Sequence, residues 1–416
     1  MDGLTLALSL LTSCYLNINT LEAQTHQIVC IMMLALPGST QVRAAALAAV
    51  LAILAEVQPS LEGLQLGWPG PLELGAWLAA LPRLREASFE APEVQLTPSL
   101  AAAPVLTTLQ FSVRRLVFTP NAGQEAAAAQ VGADAPDDVP QQLQLLCLPR
   151  ALVALDLLGA QLRQLPAQQL SQLPSLRSLD ISCNPRLSLH ELAALSTVTG
   201  LQELALSMAE LPQLPPHLSL LSDIRVLYLH SVLAEDADRD VQSLERQFQA
   251  MLSPMQRLAI LSVSGNRLQE LPTAVAGLPN LRALYLEGNR LRLPPCCTCL
   301  SGLEELSLDW GTLLSSHAQL ATSGSRLSRL YLSGSHSLGR QGIACPPLEV
   351  ARSLAACPRL DHLVDVLPEG SVPGLDIEVA RLMYALPTAC PRLHISATES
   401  EGYGYGLESM PPSWRG

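Results

Sequence analysis

The pattern L-x-x-L-x-L returns eleven times along this chain, as LEGLQL at 61, LREASF at 84, LTTLQF at 106, LVALDL at 152, LRSLDI at 176, LQELAL at 201, IRVLYL at 224, LAILSV at 258, LRALYL at 281, LEELSL at 303 and LSRLYL at 327. The usual step between copies is 22 to 25 residues. Weaker copies stand at IVCIMM (28), LDHLVD (360) and LHIS (393). Apolar residues at positions one, four and six follow neither the 3.6-residue period of a helix nor the two-residue period of a plain strand. A fixed step of this size marks a chain built from one repeated supersecondary unit. A single unit holds too few apolar side chains to offset the ordering of its own backbone, so each copy must serve as the next one's core. A length of 416 residues would suffice for two or three ordinary domains, but the period predicts one stacked array instead.

The fullest copies read LAILSVSGN and LRALYLEGN, with Asn266 and Asn289 at position nine, and N-x-L-x-x-L-P after the first of them (Asn266, Leu268, Leu271, Pro272). On these residues the chain resembles the leucine-rich-repeat family over roughly residues 58 to 396. The best copies are similar to the intracellular Ras-group type and the helix-containing ones to the longer ribonuclease-inhibitor type. The resemblance implies an α/β fold, a right-handed horseshoe solenoid with short parallel strands on the concave side and helices or turns on the convex side. It also implies that Asn184, Asn266 and Asn289 form a ladder, bonding the loop backbone of neighbouring coils. Ala160, Ala209, Val232, Gly311 and Ser335 stand in that place elsewhere, which predicts looser turns there.

Breaks in the period define the domain boundaries. Residues 1–57 form a degenerate amino-terminal segment with a helix expected over 40–56. The solenoid follows over 58–396, and 397–416 are expected to be a disordered tail. A gap of 46 residues between Leu106 and Leu152 holds PNAGQEAAAAQVGADAPDDVPQQ, a composition that predicts a disordered insert over 120–142. In the 34-residue gap before Leu258, Val241, Leu244, Phe248 and Leu252 share one helical face, predicting a convex-side helix. Ser188 and Glu191 stand at capping-box spacing at the start of a shorter one.

Composition excludes several function classes. No lysine occurs, so all 25 basic residues are Arg, and neither Schiff-base chemistry nor a phosphate-loop lysine is available. A net charge of −12 with scattered Arg argues against a nucleic-acid partner. The longest apolar run, Ala44 to Ala55, is too short to span a bilayer of about 30 Å, so no membrane partner is expected. Ten Cys without framework spacing, and no positively charged leader before the first apolar stretch, favour a reducing compartment. The expected location is cytoplasmic, with the cytoskeleton (including a cilium axoneme) or nucleus as alternatives. Cys296, Cys297 and Cys299 cluster in PPCCTCLSG, yet no second ligand pair follows, so no metal site is expected. Catalytic motifs are missing too, and neither an enzyme nor a cofactor is expected.

Strand alternation turns positions three, five and seven away from the leucine core. Position five carries Tyr228, Tyr285 and Tyr331 on alternate coils, with Ser262 and Ser307 between them. Around this stripe stand His230, Glu287, Glu305, Asp309, Trp310 and Arg329, and Tyr and Trp are the rigid anchors typical of binding hot spots. These nine residues are the candidate protein-binding face, facing outward on the concave side. The acids there suggest a partner protein that is neutral or basic at the contact. The expected function is a non-enzymatic interaction module or scaffold. The alternatives are the substrate receptor of a ubiquitin ligase whose ligase-binding domain lies outside this chain, and a regulatory subunit of a phosphatase or cytoskeletal complex.

Overall fold

The computed structural model describes residues 16–23, 26–33, 61–118, 148–234, 240–333, 347–367 and 377–399, apart from positions 69, 76–77, 79–80, 98–99, 102, 104, 164, 166–169, 290 and 294–297. The expected helix over 40–56, the insert over 120–142, Cys296, Cys297 and residues 400–416 lie outside the described residues. The chain divides into two units, Met1–Leu201 and Gln202–Gly416.

In the first unit each leucine pattern becomes a strand that pairs in parallel with the next. The strands are β1 (Leu16–Ala23), β2 (His26–Met33), β3 (Gly63–Gly67), β4 (Leu72–Leu74), β5 (Glu86–Leu96), β6 (Thr108–Phe118), β7 (Ala154–Asp156) and β8 (Ser178–Asp180). The weak copy IVCIMM lies in β2, in parallel register with β3. Strand β1 pairs with it antiparallel, a hairpin that no repeat pattern announced. Strands β5 and β6 run on past the usual length, and Val94–Leu96 pair with β4. Alternation along β5 buries Ala87, Phe89, Ala91, Val94 and Leu96, and Phe89 stacks on Phe111 of β6 with ring centroids 6.1 Å apart. The short helix α1 (Leu189–Leu192) begins at Ser188, whose Oγ accepts the Glu191 N–H at 3.3 Å. The Glu191 carboxylate accepts the Leu165 N–H at 3.2 Å, so it ties α1 to the preceding coil.

The second unit continues the pattern with β9 (Glu203–Ala205), β10 (Val226–Tyr228), β11 (Ile260–Ser262), β12 (Ala283–Tyr285), β13 (Glu305–Asp309), β14 (Arg329–Ser333), β15 (His362–Leu367) and β16 (His394–Glu399). Here too the weak copies at 360 and 393 lie on paired parallel strands. Between strands the chain crosses the convex side in one of two ways. Short coils use one turn of 3-10 helix, at Pro216–Leu220, Thr273–Gly277 and Thr298–Gly302. Longer coils have room for α-helices: α2 (Val241–Leu252), α3 (Trp310–Ser323), α4 (Pro347–Ala355) and α5 (Ile377–Ala389). The last two strand-to-strand steps in register, Arg329 to His362 and His362 to His394, are 33 and 32 residues, and α3, α4 and α5 pack side by side in sequence. Helix α2 is capped by Asp240, which accepts the N–H groups of Gln242 and Ser243. It buries Phe248, Met251 and Leu252, while Val241 remains 46% exposed.

The turn that ends each strand repeats as faithfully as the leucines do. Counting the first leucine as position one, position eight is left-handed in six coils: Gly159, Cys183, Met208, Ser231, Gly265 and Gly288, with φ between 47° and 71°. Glycine accepts this conformation without cost, whereas the other three hold it against their Cβ. Gly265 and Gly288 also stack closely, since a Cβ on Gly288 would meet the Gly265 backbone at 3.2 Å.

Candidate protein-binding face

The residue after that left-handed turn decides how coils are stitched. Asn184 is fully buried. Its Oδ1 accepts the Leu162 N–H at 2.9 Å, and its Nδ2 donates to the carbonyls of Leu157, Ile181 and Ser182. Asn266 accepts the N–H groups of Val232 and Leu233 and donates to the carbonyls of Leu229, Val263 and Ser264. Asn289 accepts the Leu268 N–H at 2.9 Å and donates to the carbonyls of Val263 and Leu286. Each Asn therefore satisfies backbone of the coil before it as well as its own. Two of the coils with no Asn, those of Ala209 and Gly311, are closed by other groups, where looser turns were expected; Ser335 lies outside the described residues. Leu211 bridges to Leu233, and in the coil of β13 the Thr312 hydroxyl donates to the Leu291 carbonyl while Ser316 Oγ accepts the Leu293 N–H.

This stitching holds the strands in strict register, which fixes the rows of the concave face. Position five lines up as Ala205, Tyr228, Ser262, Tyr285, Ser307, Tyr331, Val364 and Ser396. Position three lines up as Glu203, Val226, Ile260, Ala283, Glu305, Arg329, His362 and His394. The tyrosine stripe is thus a real row, but its burial differs from the outward-facing expectation. Tyr228 and Tyr285 are 7% and 4% exposed and belong to an apolar cluster with Ala205, Val226, Ile260 and Ala283. Tyr331 is half-buried.

Two candidates need correction. Trp310 is completely buried and heads α3. The helix starts at position eight of this coil, so the left-handed turn is replaced and the indole swings inward. Glu305 is only 2% exposed. Register sets it beside Arg329, whose Nη1 donates to Glu305 Oε1 at 2.6 Å, and Tyr285 Oη donates to Oε2 at 3.2 Å. A carboxylate held by a guanidinium and a phenol is not available as a free anion for a partner. Burial, then the Glu305 charge, pushes the Tyr331 phenol above its ordinary value.

The remaining candidates lie between these extremes. His230 is half-buried, and desolvation lowers its pKa, which favours the neutral ring. Asp309 Oδ1 accepts the Gly288 N–H at 3.0 Å and the Ser333 hydroxyl at 3.1 Å. Burial and the nearby Glu287 charge outweigh those bonds and raise its pKa. Oε2 of Glu287 is buried without a hydrogen-bond partner among the described residues.

The sequence reading missed His362 and His394. Their rings meet edge to face with centroids 5.7 Å apart, both are exposed, and His362 Nδ1 lies 2.7 Å from the Asp361 carboxylate. Carrying the repeat register into the weak copy at 360 would have found His362 at position three, whereas His394 is second in a copy begun at Leu393 and joins the row only through its pairing with His362. A separate cavity of 430 Å³ lies on the convex side, lined by residues of α2 such as Leu244, Glu245 and Phe248 and by Leu268, Leu271 and Pro272. Among the described residues no group of three or more His, Cys, Asp and Glu gathers as a metal set would. No helix there is long and apolar enough to cross a membrane.

Residues 243–291 match the leucine rich repeat family model. Among curated proteins no sequence matches the chain. Three solved structures are similar in part. Internalin C2 of Listeria monocytogenes is 16% identical over 57% of this chain and 76% of its own, with a TM-score of 0.33. A leucine-rich-repeat protein of Leptospira interrogans is 18% identical over 81% and 90%, with a TM-score of 0.40. Human 5T4, the trophoblast glycoprotein, is 25% identical over 49% and 77%, with a TM-score of 0.36. Those scores carry no argument about function. The parallel strands, the repeated left-handed turn and the matched segment agree on one point: residues 243–291 are leucine rich repeats, and the coils on either side of them have the leucine-rich-repeat fold.

Proposed function

We propose that this protein is a non-enzymatic interaction module whose concave face, at strands β14–β16, grips a segment of a partner protein. One observation carries the reading: along row three the apolar side chains give way to Arg329, His362 and His394, and the row opens to solvent there. With half-buried Tyr331 in the next row, these residues offer flat rings and hydrogen-bonding groups on a rigid sheet, the character of a hot spot. Arg329 is neutralised by Glu305, so the acids that remain for a partner are Glu287 and Asp309. They favour a segment that is neutral or basic at the contact. Leucine-rich repeats typically act by binding proteins, which supports the general reading. The free thiols Cys183, Cys357 and Cys390 support a reducing, cytoplasmic setting.

The test is affinity capture with the parent chain and with Tyr331→Ala, His362→Ala and Gln110→Ala. A co-purifying protein that is retained by the parent and by Gln110→Ala should be weakened by more than about 1 kcal/mol in each of the other two. Equal retention by all four would move the site away from β14–β16, and the convex cavity beside α2 would be the next surface to probe.

A further inference from the structure

Row three of the concave face ends in two histidines. Parallel pairing sets His362 of β15 directly against His394 of β16, so with strands about 4.8 Å apart both imidazoles stand on the same side of the sheet. Their ring centroids are 5.7 Å apart and the ring planes meet at 70°. Both residues are exposed. The Asp361 carboxylate lies 2.7 Å from Nδ1 of His362. A carboxylate accepts and does not donate, so that contact keeps the proton on Nδ1 and leaves the Nε2 lone pair uncommitted. Among the described residues the His394 ring has no hydrogen-bond partner, and it rests against His362.

We propose that His362 and His394 form an open site for one divalent transition-metal ion of the class that favours imidazole, Ni²⁺, Cu²⁺ or Zn²⁺. Distance is the first argument. A metal–nitrogen bond of about 2.0 to 2.1 Å puts the ion about 3.2 Å from a ring centre, so two imidazoles on one ion have centroids about 5 to 6 Å apart. The 5.7 Å separation falls inside that range. The χ2 torsion of histidine is broad, so the exposed rings can turn their nitrogens to a common point. Orientation is the second argument. A ligating histidine donates its other ring N–H to a carboxylate or carbonyl, which fixes the tautomer and raises the basicity of the ligating nitrogen. Asp361 stands in that relation to His362. The cation next in the row is already paired: Arg329 donates to Glu305 at 2.6 Å, which offsets its repulsion of an ion at His362. Two protein ligands are half of a closed tetrahedral set, so water completes the coordination, and a partner's side chain could enter at those positions.

The inference goes beyond the partner reading, and its test needs no partner. Ni²⁺ is the probe, because it suits imidazole whereas soft thiolates select other metals, so the cysteines compete least. Calorimetric titration with Ni²⁺ would be carried out on the full chain and on His362→Ala, His394→Ala, Asp361→Asn, Tyr331→Ala and His190→Ala. The parent should bind one ion that His362→Ala and His394→Ala each lose, and Asp361→Asn should bind it about tenfold more weakly, as for a group acting through a ligand. Tyr331→Ala and His190→Ala, the latter at an exposed histidine of α1, should bind it like the parent. Because His362 and His394 are exposed, their variants should unfold in urea at the parent's midpoint without metal, which separates a lost ligand from a lost fold. No binding by the parent, equal binding by both histidine variants, or loss in only one of them would overturn the proposal. Tyr331→Ala keeps the two readings apart, since it should weaken a partner and leave Ni²⁺ binding intact.

Discussion

Asn266 shows how much one polar side chain can hold in this architecture. It is 0% exposed and makes five hydrogen bonds, three of them to the preceding coil. Truncation to alanine leaves at least the Val232 N–H and the Leu229 carbonyl buried and unpaired. Each such group costs roughly 1 to 3 kcal/mol, so Asn266→Ala should destabilise by about 2 to 5 kcal/mol. Urea unfolding should show a lower midpoint at unchanged slope. A midpoint equal to the parent's would mean that water or a rearranged turn replaces the side chain. Cys357 makes the complementary case of a buried ionisable group with little polar support. Burial, then the neighbouring Cys390, pushes its thiol up to about 11 from an ordinary value of 9.0. The unfolded chain thus ionises first, so the thiol's contribution is complete below pH 9 and is lost as pH rises through about 11. The stability advantage of the parent over Cys357→Ala should shrink across that window, and a constant difference would contradict the assignment.

At the scale of elements, what the sequence made legible was whatever repeats through apolar spacing. The eleven strong copies and the three weak ones all coincide with strands, and position four enters the core in each strong copy and at Leu363. Helix α2 was legible for the same reason, through Phe248 and Leu252. The left-handed position eight was hidden, because only three of its six residues are Gly. At Cys183, Met208 and Ser231 the stacking of coils, not local preference, imposes the conformation. Trp310 was misplaced because the spacing gives its position but not the turn type, and an α-helix beginning there reverses its direction. The tyrosine row was legible as a row from alternation. Its burial was not, since alternation gives the direction of a side chain and not what packs around it.

Over the whole molecule, stacking makes stability a sum of coils and of the contacts between neighbours. Leu284 tests this. It is 0% exposed, sits at position four of β12, and pairs in register with Leu261 on one side and Leu306 on the other. Removing its branched end should cost about 2 to 5 kcal/mol, the range for a core leucine whose surroundings relax only in part. The more informative quantity is where that loss appears. In a nearest-neighbour stack, native-state hydrogen exchange of Leu284→Ala should lose protection most in β11, β12 and β13, less in β10 and β14, and hardly at all in β5 and β6. Flanking coils keep their own leucines, so the lesion has no direct route to distant strands. Uniform loss over β9–β16 with β5 and β6 spared would make the second unit a single cooperative body, its coils bound more tightly than nearest-neighbour stacking provides. Loss that reached β5 and β6 equally would show that the division at Leu201 has no energetic counterpart, and that all described coils unfold together.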